Sequence, residues 1–527
     1  RAWKDPRTSD GDDDNGRFSK DYNDITNMTW SNILTYQTKI KKKHNLDLLA
    51  GYEINSKESD GLGTTISNFA RWDKPEVNNG VVYQSMGGSN STTRIVSYIT
   101  RANYDYDNKY YLGASWRTDG SSRLARENRW GNFWSLSGAW RVSSESFMKP
   151  LQNWLSDLKL RVSYGVNGTL PSSYYGYMGL SSLTSNYNDN PGITQSQLEN
   201  KELTWETNYN FNSGIDLGFF DNRLNVTFEY YVRTTKNLLY SRPLSLATGF
   251  SSYLANIGKL QNKGYELEIR STNIETKDFR WSTSLNLGHN ANKILKLDGD
   301  LKQVTSGTSI HKVGLPYSTY YMIEFAGIDP VDGEPMFYKN TTDENGNLNK
   351  ETTKDPRSAE KVILQCADPT ITGGLGNSIS YKWFDLNFNV NFSFGAWNYD
   401  GAAGKLEHGG DGTLNIPIYY RKRWQKEGDE TSIERFVVGR SISMTDYATT
   451  RRLYSGDYVR LKNLTFGFTL PKTWTRKVGI DNIRLYASGN NLLTWAAYDY
   501  IDPESGSSPS WDTPPMRTYT FGLEVKF

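Results

Sequence analysis

Oxygen-bearing side chains alternate in DENGN, where Asp343, Asn345 and Asn347 flank a glycine as at the start of a calcium loop. Such a loop ends on a bidentate acid at its twelfth position, and that position holds Lys354, so the stretch reads as a solvated turn, as does Asp12 to Asp14. The histidines, His44, His289, His311 and His408, are far apart, and Cys366 is the one cysteine, so the sequence has neither a zinc spacing nor an internal disulfide. No Gly-x-Ser-x-Gly stands between a strand and a helix, and acids are too common for chance pairs to inform, so neither a catalytic set nor a cofactor is indicated. Aromatic rings remain: Tyr174, Tyr175, Tyr177 and Trp511 lie in long polar stretches where they could stack on sugar rings. Most of the 35 Tyr and 16 Trp suit interfacial girdles or packing better.

The elements that must carry these residues are strands. The chain ends YTFGLEVKF, which places Tyr519, Phe521, Leu523, Val525 and Phe527 on one face and Thr520, Gly522, Glu524 and Lys526 on the other. The segment from Phe384 to Phe394, FDLNFNVNFSF, alternates without a break over the ~9 to 11 residues that a tilted strand needs to cross a bilayer. Similar alternation runs through Leu464 to Leu470, Leu158 to Tyr164, Trp134 to Trp140, Trp281 to Leu287 and Tyr265 to Ile269. With 36% hydrophobic residues and no apolar run of about eighteen, membrane helices are excluded. A net charge of +2 gives no electrostatic case for nucleic acid.

Connections alternate between short and long. Turn formers or charges mark short joins at Lys41 to Lys43, Asp105 to Asn108, Asp221 and Asn222, Glu275 to Asp278, Lys382 and Trp383, and Pro471 to Gly479. Long loops are expected at 55–91, 167–202, 234–261, 293–371, 396–455 and 491–514. Short turns on one side and long loops on the other describe an all-β, antiparallel transmembrane barrel of the bacterial outer membrane, with about fifteen strands in this chain. With the last strand ending on the periplasmic side as in such barrels, an odd count places Arg1 outside the cell, and because single-chain bacterial barrels have even strand numbers, an odd number of further strands is expected upstream.

The segment Tyr110 to Met148, YYLGASWRTDGSSRLARENRWGNFWSLSGAWRVSSESFM, resembles the most recognisable block of SusC-like TonB-dependent outer-membrane transporters. Arg117, Asp119, Gly120, Ser121, Ser122, Trp140, Glu145 and Phe147 fit it, with Asp119 to Ser122 read as a turn in which Gly120 permits positive φ. TTKNLLY, NIGKLQNKGYELEI, GGLGNSISYKWFDL, YVRLKNLTFGFTLP and RLYASGNNLLTW resemble later blocks of the family in the same order. Trp383 stands where the family usually has a small residue, and the stretch after Asp502 to Glu504 is shorter than usual, so loop-borne specificity does not carry over.

The resemblance implies the C-terminal part of a barrel of about 22 strands. It also implies a plug, which is not recognised in this sequence, and a SusD-like surface lipoprotein that delivers oligosaccharide or peptide. The TonB complex would act through that upstream plug. The remaining partners are outer-membrane lipid and the barrel assembly machinery, which reads a terminal aromatic strand of the kind ending at Phe527. Two other functions fit the residues: a structural subunit of an envelope complex, and a secreted soluble all-β glycan-binding protein. Catalysis is not expected.

Overall fold

The computed structural model describes residues 1–188, 190–297, 299, 301–343, 346–410, 415–439, 447–505 and 514–527. Sixteen strands make up the main sheet, in chain order. They are β1 (Ala2–Lys4), β2 (Arg17–Ile40), β3 (His44–Phe69), β4 (Gly80–Tyr106), β5 (Tyr110–Ser121), β6 (Trp130–Arg141), β7 (Leu155–Thr169) and β8 (Glu206–Phe219). They continue with β9 (Leu224–Lys236), β10 (Lys259–Glu275), β11 (Phe279–Lys296), β12 (Ile371–Tyr381), β13 (Phe384–Phe394), β14 (Tyr458–Thr469), β15 (Asn482–Ala496) and β16 (Thr518–Lys526). The chain divides into two compact units, one of Arg1–Gly138, Ser163–Asn210 and Thr235–Ile257, the other of Ala139–Val162, Phe211–Thr234 and Gly258–Phe527. Among the described residues no helix is long and apolar enough to cross a membrane.

In the second unit, register sorts the side chains into rows. Ile274, Trp281, Ile379, Leu386, Phe466, Ala487 and Phe521 lie side by side from β10 to β16. The row on the opposite face is Thr272, Ser282, Ser378, Asn387, Thr465, Ser488 and Thr520. Because side chains alternate across a strand, the one-residue step between these two rows moves from an apolar face to a polar one. The segment read from sequence as the clearest strand coincides with β13. Next to the tight turns stands a row of Phe279, Tyr381, Phe384, Phe468, Leu485 and Leu523, in which Phe384 and Phe468 stack at 4.9 Å. Rings collected at a strand end match the aromatic girdle of a membrane interface.

In the first unit the same sorting has a measurable height. Outward residues of β2 run from Ile40 through Tyr36 and Leu34 to Trp30, and Leu34 is 74% exposed. Their lateral neighbours include Tyr106 with Tyr110, Leu48, and Ile54 with Val96. Ten residue steps at ~3.3 Å and a tilt of ~45° give roughly 23 Å, close to the ~25 Å apolar band of outer-membrane barrels. Below the band lies the lysine turn 41–43, and above it the outward rows turn to Ser56 and Arg94, Glu58 and Thr92, Asp60 and Asn90. Water would not leave so wide an apolar face uncovered, whereas hydrocarbon does.

The stretch 55–91, expected as a loop, is strand for most of its length: β3 continues to Phe69, β4 begins at Gly80, and only 70–79 connects them. Full pairing with β2 and with each other satisfies these backbones beyond the apolar band, where no alternation is demanded. The tip is fastened by Phe18, Ile66 and Phe69 packed with Trp3 and Val77.

The other long connections run 170–205, 237–258, 297–370, 395–457 and 497–517, and several carry small sheets. Leu180–Tyr187 pairs with Asn190–Gln197, and Leu239–Pro243 with Ser252–Asn256. Between β11 and β12 lie a four-stranded and a three-stranded sheet. The join at 471–479 holds a short helix, Lys472–Thr475, rather than a bare turn.

Candidate functional site

The inward face is polar, and most of its charges are paired where they stand. Arg484 on β15 donates to Asp385 on β13 at 2.7 Å across Gly467, where a Cβ would come within 2.3 Å of the carboxylate. Arg161 on β7 bonds Asp216 at 3.1 Å and also Glu229. In the first unit Gln37 and Arg101 both donate to Asp47, at 2.6 and 3.2 Å. Asparagines, serines and threonines fill the spaces between these pairs. One recess of about 360 Å³ is lined by Arg223, Arg270, Asn222, Asn225, Asn387 and Asn389. A second, of about 550 Å³, is lined by Glu229, Glu266, Glu268, Asn286, Asn391 and Ser393. Paired charges and neutral amides give a wall that hydrates polar cargo and offers hydrogen bonds without a strong field.

Above this wall two connections of the second unit are fixed by buried polar contacts. Arg460, 2% exposed on β14, donates to Glu504 at 2.7 Å, Asp502 at 2.6 Å and Thr494 at 3.0 Å, while Lys462 shares Glu504. Glu434 is fully buried, bonded by Arg451 and by Tyr420 at 2.9 Å. Tyr419 bonds Glu407, which also meets Arg452. Tyr498 stacks on Tyr454 at 3.7 Å and donates to Asp400 at 3.1 Å. Burial pushes the Tyr419, Tyr420, Tyr454 and Tyr498 phenols up, and neighbouring carboxylates push the same way. These rings therefore stay neutral donors.

None of these loop partners was singled out from sequence as a site, because paired charges far apart in the chain carry no spacing signal. The one usable hint was the Asp502 to Glu504 segment, which recurs in the family resemblance.

Of the residues that carry the family resemblance, Arg117, Asp119, Gly120, Ser121 and Ser122 fall together in the first unit. Arg117 donates to both carboxylate oxygens of buried Asp119, at 2.7 and 2.8 Å, and to Ser97 at 2.9 Å. Ser121 is fully buried, and Ser122 and Arg94 exchange bonds through the Ser122 amide and hydroxyl, each at 2.9 Å. The expected turn at Asp119 to Ser122 is corrected: β5 runs through Ser121, and Gly120 does not adopt positive φ. Glycine is needed there because a Cβ would meet the Trp130 indole at 2.9 Å.

The candidate ligand rings hold their own loop. Tyr174 lies under the Arg123 guanidinium at 4.4 Å, the Tyr175 hydroxyl accepts the Thr92 amide at 3.0 Å, and Tyr177 packs against the cluster of Leu124, Phe133, Val166, Leu203 and Trp205. Trp511 lies outside the described residues, as does Asn345 of the calcium-like stretch. In that stretch Asp343 accepts the Asn347 backbone and side-chain amides, at 2.7 and 3.2 Å, as in a self-bonded turn. Lys354 instead bonds Asp329 and Asp332, at 2.6 and 2.7 Å. On β16, Tyr519, Phe521, Leu523 and Val525 share the outward face, and Phe527 just beyond is exposed.

Known proteins match this chain over most of its length. TonB-dependent receptor P3 of Formosa agariphila is 33% identical over 97% of this chain and 53% of its own length. TonB-dependent receptor SusC of Bacteroides thetaiotaomicron is 30% identical over 82% of this chain and 44% of its own. Among solved structures, the RagAB peptide transporter superimposes with a TM-score of 0.85 at 28% identity, covering 97% of this chain and 56% of that one. The chain thus spans about half the length of the curated relatives it matches. A family described as TonB dependent receptor-like, beta-barrel, made of outer-membrane receptors and transporters rather than enzymes, matches residues 2–492, and this chain belongs to it, as a SusC-like member.

Proposed function

We propose that this chain works in a nutrient importer that is energised by the TonB complex and loaded by a SusD-like surface lipoprotein. The observation that carries the reading is the likeness to the RagAB peptide transporter over 97% of the chain. Of the two cargo classes read from sequence, oligosaccharide and peptide, that likeness favours peptide. A wall of amides, hydroxyls and neutralised ion pairs suits a zwitterionic or neutral polar cargo. The loops 237–258, 297–370 and 395–457 supply the lipoprotein contact, the upstream plug receives TonB, and the strand ending at Phe527 is what the assembly machinery engages.

Outer-membrane placement sets aside the secreted soluble reading. Uptake of a labelled oligopeptide and a labelled oligosaccharide is compared in cells with and without the gene, each with and without TonB. Peptide accumulation that needs both genes is expected. Uptake indifferent to the gene would favour a structural envelope subunit instead.

A further inference from the structure

The inward wall of the second unit is low along β12. Its inward residues there are Thr372, Gly374, Gly376, Ser378 and Ser380, and the two glycines present no side chain to the lumen. Asn286 and Asn391 stand on either side of Gly374, and Ser284 and Asn389 on either side of Gly376. These side chains lean over the gap. A Cβ at Gly374 would lie 2.9 Å from Asn286 Oδ1 and 3.4 Å from Asn391 Oδ1, and one at Gly376 would lie 2.6 Å from Ser284 Oγ and 2.8 Å from Asn389 Oδ1. The trench runs through both recesses of this wall, the larger holding Asn286, Gly374 and Asn391 and the smaller Ser284, Gly376 and Asn389.

On other strands asparagines satisfy one another. Asn210 donates to Asn167 at 2.6 Å, and Asn463 to Asn490 at 2.9 Å. Along β12 glycine takes the place of that neighbour. Among the described residues Asn286, Asn389 and Asn391 have no hydrogen-bond partner, so three carboxamides, each with an acceptor and two donors, are open to a ligand.

Their spacing selects the ligand. Asn389 and Asn391 are two residues apart, about 6.6 Å at ~3.3 Å per residue, and an extended peptide repeats its same-edge N–H and C=O groups at that interval. A carboxamide offers one donor and one acceptor to each such pair. The ends of the trench carry opposite charges. Glu266, level with Gly288 and Thr372 at the loop end, forms no ion pair among the described residues. Arg223, level with Thr272 at the short-turn end, meets backbone carbonyls at 3.4 and 3.5 Å and no carboxylate among the described residues. From the level of Glu266 to that of Thr272 is six residues of β10, roughly 20 Å.

We infer that this trench is a track for the backbone of an extended peptide of about six residues, its ammonium end toward Glu266 and its carboxylate end toward Arg223. Asn286, Asn389 and Asn391 hold the peptide groups, so recognition is indifferent to the cargo's side chains. The inference rests on the import reading.

Uptake of a labelled hexapeptide is measured in cells that make the full-length importer, with folding read by heat-modifiable gel migration. Initial uptake is expected to fall about tenfold when Asn286→Leu and Asn391→Leu are combined, and to keep the native rate in Asn210→Leu, the same change outside the trench. Should the double variant fail to fold, Ser284→p-benzoylphenylalanine still reads the trench, and a photo-crosslink to the labelled peptide is expected there. Native-rate uptake by a folded double variant, or no crosslink while uptake proceeds, would overturn the track and leave the import reading standing. Absence of TonB-dependent peptide uptake by the native protein, with or without oligosaccharide uptake, would overturn the track together with the peptide reading.

Discussion

Arg460 holds two carboxylates while almost wholly buried, so it is worth more as a partner than as a charge. Replacing it with methionine keeps the bulk but leaves Asp502 uncompensated and Glu504 with Lys462 alone, a change of up to about 3–5 kcal/mol where a buried pair is broken. Faster proteolysis at 497–505 is expected in Arg460→Met, with the sheet unaltered by circular dichroism; unchanged cleavage would show that the clasp does not hold the loop. His311 gives a second test at this scale. It is buried, stacked on Tyr317 at 4.2 Å, and desolvation holds its imidazole below the usual histidine value of 6.5. In the unfolded loop the ring protonates first, so its contribution to stability is complete above about pH 6.5 and is lost as pH falls below that value. Amide exchange in 303–323 should therefore quicken on acidification, less so in His311→Gln; equal acid sensitivity in the two proteins would contradict this.

At the scale of elements, the strands were legible wherever one face meets hydrocarbon. β13 was readable residue for residue because Phe384 to Phe394 alternates throughout, and parts of β6, β7, β10, β11 and β14 were readable for the same reason. The distal halves of β2, β3 and β4 were not, since sequences such as NSKESDGLGTT pair through the backbone and scattered polar side-chain bonds and show no apolar period. The role of Gly120 was misjudged because its constraint comes from Trp130, a contact invisible before register is known. The buried loop cluster around Glu407 and Glu434 was equally hidden, being assembled from segments that share no local pattern. Alternation itself can be tested on β13. Phe388→Arg places a charge among lipid tails and should cost about 2–4 kcal/mol near the midplane, whereas Asn387→Lys, one residue away beside Asp385, should cost little. Urea titrations of the folded protein in lipid vesicles distinguish the two, and similar losses would mean that the faces are not sorted by solvent.

For the whole molecule, the sorting of faces joins the apolar band of the first unit, the rows of the second and the family to one placement in the outer membrane. Site-directed spin labelling in lipid vesicles measures that placement directly, after Cys366 is replaced by serine so that each label is unique. Labels are set one at a time at Leu386, Asn387, Phe466, Thr465, Phe521 and Thr520. Collisions with oxygen, which concentrates in hydrocarbon, should dominate at Leu386, Phe466 and Phe521. Collisions with a water-soluble nickel chelate should dominate at Asn387, Thr465 and Thr520. Equal accessibility at neighbouring positions, or nickel contact along the apolar row, would contradict the account.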